Sequence, residues 1–493
     1  GALHATTLDL YSHTSSSSRL PPKELIMKTL VLKIFVSLLR FTFPDYNFLS
    51  SEEATTPTFI SVSDFGAAGD GVRYDTLAIQ SAINSCPTEP SACYITFPSG
   101  AIYLTSTIYL NRSNVFLDVQ PGAVLLGGTR LEDYHPTDRE KWYVVLAEDV
   151  DNVGVTGGGV IDGQGSQFVE EFNDDKNVMV SWNWTGACVE DECRPRLIGF
   201  VGCTNVRVWN ITLRNPAYWC LNIFRCRGTL IDDVTILGDF NTPNNDGIDI
   251  DGSNDTTISR CRIDTGDDAI CPKTSTGPLY NLTVSDCWIK SKSSAIKFGS
   301  GSTFNFQDAL FNNISIVDSH RGIGFQNRDG GNTSNITFAN MNISTRYYHP
   351  SWWGRSEPVY VTNCPRNPNA SVGSVSNLLF TNISANSENG IFLSGCDGGL
   401  LKNVRFVNID VTYTKKTNYT GKMADYRPGC QGLVNHTTAG IVMEFIDDAE
   451  FENVIMNWPG YKTDLGDVPM HFKSSTVRNI KLLNFSSRLF PNN

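Results

Sequence analysis

Along most of the chain, apolar and polar residues alternate in short runs, and the runs repeat. The unit reads apolar-x-apolar-x-Asn-apolar-x-apolar, as VRVWNITL at Val206, LFNNISIV at Leu310, ITFANMNI at Ile336 and VRFVNIDV at Val404. Aligned on the residue after the asparagine, the series is Ile211, Val234, Cys261, Cys287, Ile314 and Met341, with gaps of 23, 27, 26, 27 and 27 residues. It resumes at Ile383, Ile409, Val454 and Phe485 after longer insertions. Period-2 alternation predicts strands. A fixed spacing of such strands, with Gly and Asn turns and no helices between, predicts coils stacked on one shared core. The expected fold is all-β, a single-stranded right-handed parallel β-helix over residues 58–490. A β-propeller, with a blade period of roughly 40–45 residues, fits the gaps poorly.

The asparagine of each unit belongs at a turn, where it tolerates left-handed geometry and can stack on its counterpart one coil away. Asn210, Asn313, Asn382 and Asn484 hold this position and also head N-x-S/T sequons. Further sequons begin at Asn111, Asn183, Asn254, Asn281, Asn332, Asn369 and Asn418. From Asp64 the pattern turns helical, with Asp75 as N-cap and Leu77, Ile79, Ala82 and Ile83 apolar, which predicts a helix closing the first coil. Residues 343–378 interrupt the repeat with an aromatic-rich stretch, RYYHPSWWGRSEPVYVTN, expected to overhang a binding face.

The ends and the cysteines place the chain on a secretory route. Residues 1–26 precede the first Met and are expected to be a disordered or upstream-derived leader; residues 27–50, opening MKTLVLKIFVSLLR, read as a signal peptide. No other segment is apolar enough to cross a membrane. Among 13 Cys, the close pairs Cys86/Cys93, Cys188/Cys193 and Cys220/Cys226 are candidate disulfide loops, while Cys261 and Cys287 fall on core positions. The net charge of −12 with no basic run argues against nucleic acid, and an acidic polymer would need a local basic patch. A monomer is expected.

The chemistry concentrates in NTPNNDGIDIDGSNDTTISRCRIDTGDDAICPKTS from Asn241, which holds Asp246, Asp249 and Asp251, then Asp267 and Asp268. Asp246 and Asp267 are 21 residues apart, close to one coil. Residues one coil apart sit roughly 4.8 Å from each other on neighbouring strands, so Asp246 should face the Asp267/Asp268 pair. Single aspartates in such turns are ordinary turn formers, and oxygen-rich sites also hold Ca²⁺. Both motifs at one-coil spacing point instead to acid–base chemistry, because neighbouring carboxylates push one pKa up until that acid can donate a proton. This chemistry asks for no metal and no cofactor.

NNDGIDI and GDDAI resemble the NTDG and GDD motifs of the polygalacturonase family, family 28 of the glycoside hydrolases. The resemblance runs from DFGAAGDG at Asp64 through GGGVIDGQG at Gly157 and RPRLIGF at Arg194 to about residue 485. It implies an inverting hydrolase of pectic polysaccharide, secreted to the extracellular cell wall. It further implies Asp267 as general acid, with Asp246 and Asp268 as bases that hold and activate water. An inverting enzyme needs its acid and base roughly 6.5–9.5 Å apart.

Two motifs depart from the family. GHGISIGS is SSAIKFGS here, so Ser294 stands where the family has a His. RIK is GFQ, so Gly324 and Gln326 replace the basic residues that grip a uronate carboxylate. Lys297, turned outward between Ile296 and Phe298, and Arg321 and Arg328 beside GFQ are the remaining cations. Gln326 would suit a neutral or esterified sugar, and Asp249 completes the candidate substrate-binding set. His320 and His349 are candidates to replace the imidazole, and His349 stands among Tyr347, Tyr348, Trp352 and Trp353, which can stack on sugars. Two alternatives stay open: a catalytically silent carbohydrate-binding relative, motivated by the missing His and RIK, and a Ca²⁺-dependent pectic lyase on the same fold.

Overall fold

The computed structural model describes residues 56–493 apart from 89–90, 135–141, 182–193, 427–430, 437–438, 460–467 and 491–493. The expectations for residues 1–26 and 27–50, and the Cys188/Cys193 pair, lie outside the described residues.

The repeat builds the long side of a right-handed parallel β-helix. Ile211 lies opposite Val234, Cys287 opposite Ile314, Ile314 opposite Met341 and Met341 opposite Ile383, and the series continues through Ile409 and Val454 to Phe485. These residues share one buried core with the apolar side of a second, 12-stranded sheet. Rings stack from coil to coil within it, Phe338 on Phe380 at 5.1 Å and Phe380 on Phe406 at 4.6 Å. At the turns, Asn382, Asn408, Asn453 and Asn484 take left-handed φ of 53–58°. Each donates its amide to the asparagine one coil back (Asn382 to Asn340), at 2.9–3.1 Å.

The capping helix α1 (Thr76–Asn84) buries Ile79, Ala82 and Ile83 but leaves Leu77 exposed. Asp75 is its N-cap by position. The Asp75 carboxylate accepts from the backbone N–H of Ala68 and Gly69, at 2.6 and 3.0 Å, so it ties the helix to the preceding turn rather than capping it. Cys86 and Cys93 are bridged as expected. Cys220 and Cys226 are not; both are free and buried. They stand at opposite ends of an extended strand, where six steps of roughly 3.3 Å carry the sulfurs far beyond bridging range. Cys261 and Cys287 are core residues, as the repeat requires.

The candidate site lies on the outer face of the 12-stranded sheet. Eight consecutive strands matter: β1 (Leu221–Phe224), β2 (Ile248–Asp251), β3 (Ile270–Lys273), β4 (Ser294–Gly299), β5 (Arg321–Asn327), β6 (Val359–Asn363), β7 (Ile391–Ser394) and β8 (Ile441–Glu444). The insertion predicted over 343–378 is two loops, 346–358 and 364–374, split by β6.

Candidate active site

Each coil passes three outward positions across this face. Inward residues Ile248, Ile250, Ile270, Ile296, Phe298, Ile323 and Phe325 belong to the core. Between them the outward set is Asp246, Asp249 and Asp251 on β2 and its leading turn, then Asp268, Cys271 and Lys273 on β3. Ser294, Lys297 and Gly299 follow on β4, and Arg321, Gly324 and Gln326 on β5. The register that sets Asp249 beside Cys271 and Asp251 beside Lys273 also sets Asp246 beside Asp268. The expected facing of the two motifs is present: carboxylate oxygens of Asp246 and Asp268 lie within 4.8 Å of each other and of the Cys271 Sγ.

Asp267 occupies the turn ahead of β3, half-buried. Its oxygens accept from the N–H of Asp268 at 2.9 Å and of Asn244 at 3.3 Å. Asn244 sits in left-handed geometry in the turn that leads to Asp246. Arg194 holds that turn from beneath, donating to the Ala217 and Pro243 carbonyls at 2.8 and 2.6 Å and to the Asn244 side chain at 3.0 Å.

Partners divide the carboxyls. Burial disfavours the charge of Asp268, but Lys297 at 2.5 Å, the Ser293 hydroxyl at 2.7 Å and the Ser294 N–H at 3.0 Å hold it below the usual carboxylate range. Burial and the neighbouring Asp268 charge push Asp267 up to about 6. Burial, Asp249 and Asp267 hold Asp246 well above the usual range, with Lys273 opposing from 3.8 Å. Lys273 is ion-paired with buried Asp249, and its Nζ sits 4.4 Å over the Trp219 ring. Asp268 therefore pairs with Lys297, Asp246 shares Lys273 with Asp249, and among the described residues no lysine pairs with Asp267.

The other predicted residues fall in different surroundings. Lys297 points outward as alternation requires, with its Nζ 5.0 Å from the Trp353 ring. Arg321 is buried, paired with Glu357 at 3.3 Å and stacked 3.8 Å over Tyr360. Arg328 is buried and donates to the Cys364 carbonyl at 3.2 Å. Gln326 and Ser294 are buried too. His320 is buried, accepts from the Tyr348 N–H at 3.1 Å and is kept neutral, near 3, by burial and by Arg321. His349 is bonded to Ser351 at 2.8 Å within its loop. Tyr347 is buried and Tyr348 donates to the Asp318 carbonyl at 2.6 Å, so both pack the loop; Trp353 is exposed. Sequence reasoning missed Lys273, Trp219 and the role of Arg194. Lys273 was within reach, since the offset of 22 residues from Asp246 to Asp268 also carries Asp251 to Lys273.

Comparison with known proteins agrees with this geometry. Residues 111–427 match "Glycosyl hydrolases family 28", and residues 59–117 match "Rhamnogalacturonase A/epimerase, pectate lyase-like". An exo-poly-alpha-D-galacturonosidase of Dickeya chrysanthemi is 26% identical over 347 residues, which cover 60% of this chain and 57% of the relative. Polygalacturonase-2 of Solanum lycopersicum is 24% identical over 370 residues, covering 71% and 75% respectively. Among solved structures, an exopolygalacturonase of Thermotoga maritima superposes with a TM-score of 0.64 at 21% identity, over 82% of this chain and 93% of that one. With the family match spanning well over half of its length, the chain belongs to family 28 of the glycosyl hydrolases.

Proposed function

We propose that the protein is a secreted, inverting hydrolase of a pectic polysaccharide. The observation that carries this reading is the placement of three carboxyls: Asp246 faces Asp268 within 4.8 Å, Asp268 is paired with Lys297 at 2.5 Å, and Asp267 stands beside them held by backbone N–H groups, where burial pushes it up to about 6. Oxygens within 4.8 Å can both bond one water. Asp268 takes a proton from that water as it attacks the anomeric carbon, while Asp246, which burial favours as the neutral acid, orients it. Asp267 protonates the glycosidic oxygen as the bond to the sugar breaks. Attack opposite the leaving group inverts the anomeric centre. Lys297 spends one N–H on Asp268 and has others for a uronate carboxylate, beside Trp353 as a stacking surface. Asp249 acts through Lys273, and Arg321, Arg328 and Gln326 are buried beside the site rather than open to a sugar. The relatives are named for galacturonan cleavage, which makes homogalacturonan the first substrate to try.

The test is digestion of de-esterified homogalacturonan, methyl-esterified pectin and rhamnogalacturonan, followed by proton NMR of the fresh products. The expected result is an inverted anomer, formed about 10²–10⁴-fold more slowly by Asp267→Asn with an unchanged circular dichroism spectrum. Initial retention, or wild-type rates in Asp267→Asn, overturns the mechanism.

A further inference from the structure

We infer that the catalytic groove is blind toward the later coils, so that the enzyme works from chain ends and releases short products. This rests on the pectic-hydrolase reading, and it comes from what covers the sheet beyond the aspartates. The outward residues Arg321, Gln326, Glu357, Tyr360 and Thr362 on β5, β6 and the turn before β6 are each no more than 4% exposed. From Tyr360 onward the outward row turns apolar: Tyr360 on β6, Phe392 on β7 and Val442 on β8 lie in register.

The chain itself covers this row. Tyr360, Phe392 and Val442 pack in an apolar cluster with Ala424 and Tyr426, contributed by the antiparallel hairpin Met423–Asp425/Leu433–Asn435 and the residue beside it. Tyr360 stacks on Phe392 at 5.3 Å, and Tyr426 meets Phe392 edge-on at 5.5 Å. Tyr360 donates its hydroxyl to the Asp425 carbonyl at 2.5 Å. The 346–358 loop is bonded to the same hairpin: the Gly354 N–H donates to the Asp425 carboxylate at 3.2 Å, and Arg355 pairs with it at 3.5 Å. These buried apolar and ionic contacts form a built wall. A saccharide running past the site in this direction would have to displace the whole cluster.

The wall begins close to the chemistry. Trp353 of the same loop lies over Lys297 on β4, and β4 is one coil, roughly 4.8 Å, from β3 and Asp268. Solvent reaches the site at Trp219, Asp267, Lys273 and Trp353. The packed cluster starts on β6, three coil steps or roughly 14 Å from β3, and the loop carrying Trp353 reaches in over the coils between, which leaves room for a terminal sugar and not for a continuing chain.

The test uses an octagalacturonide free at both ends and the same octamer carrying a bulky fluorophore at each end. Binding is read by calorimetry on Asp267→Asn, and cleavage by chromatography on the wild type. The free octamer should bind and lose one or two sugars at a time, while the doubly capped octamer binds at least about tenfold more weakly and is not cut. Intermediate-sized products from the first time points, or equal binding of the two octamers, overturns the blind groove and leaves the hydrolase reading standing. Binding of neither octamer overturns the pectic reading, and the chain-end inference falls with it.

Discussion

Asp267 and Asp268 are adjacent, and burial works against the charge of both, yet they end in opposite states. Asp268 has Lys297 and two donors from the coil above; Asp267 has backbone N–H groups and the charge of Asp268 against it. Catalysis needs the first protonated and the second ionised. Asp268 loses its charge only as pH falls below its ordinary 3.8, and Asp267 loses its proton as pH rises through about 6. We therefore expect kcat/KM to be bell-shaped, high in the mildly acidic range between these limits and falling above about pH 6. Lys297 lowers both carboxyls, so Lys297→Ala should slow the reaction and move both limbs to higher pH. An acid limb that stays in place would detach Lys297 from Asp268.

At the scale of the coil, stability rests on the asparagine ladder as well as on the core. Asn408 donates to Asn382 and accepts from Asn453, in a left-handed turn. Asn408→Gly keeps the turn geometry and loses two amide bonds, each worth about 0.5–1.5 kcal/mol. Asn408→Ala loses the same bonds and adds roughly 1–2 kcal/mol of left-handed strain. Urea midpoints should fall in the order wild type, Gly, Ala; equal midpoints for all three would mean that the ladder only decorates the turn. The coil register was legible from sequence because one turn residue marks each coil, so Ile211 to Phe485 could be aligned by counting. The facing of Asp246 and Asp268 followed from the same count. The Cys220/Cys226 pairing failed because nearness in sequence is distance along an extended strand. The overhang of loop 346–358 was legible as a break in the repeat, but the strands it docks on, Met423–Asp425 and Leu433–Asn435, were hidden because they carry no period. One sign of them was present: the outward row turns apolar at Tyr360, Phe392 and Val442, which a solvated face would not do. Arg194 was opaque because its partners, Ala217, Pro243 and Asn244, come from turns whose meeting depends on the folded stack.

At the largest scale the described coils form a stack in which each leans mainly on its neighbours, and burial keeps reduced sulfur out of reach, in the core for five thiols and on the outer face beside Asp246 and Asp268 for Cys271. Cys203, Cys220, Cys226, Cys261, Cys271 and Cys287 are free and fully buried, whereas Cys396 is partly accessible. For a chain read as secreted, those thiols stay reduced only while their coils stay closed. An alkylating reagent in native buffer, followed by peptide mass spectrometry, should modify Cys396 first and the six buried thiols only as fast as local opening allows. Labelling of Cys261 as fast as Cys396 would show an open core. Because the six span four successive coils (Cys203, then Cys220 and Cys226, then Cys261, then Cys271 and Cys287), the order of their alkylation in dilute denaturant would record from which side opening reaches this part of the stack, coil by coil.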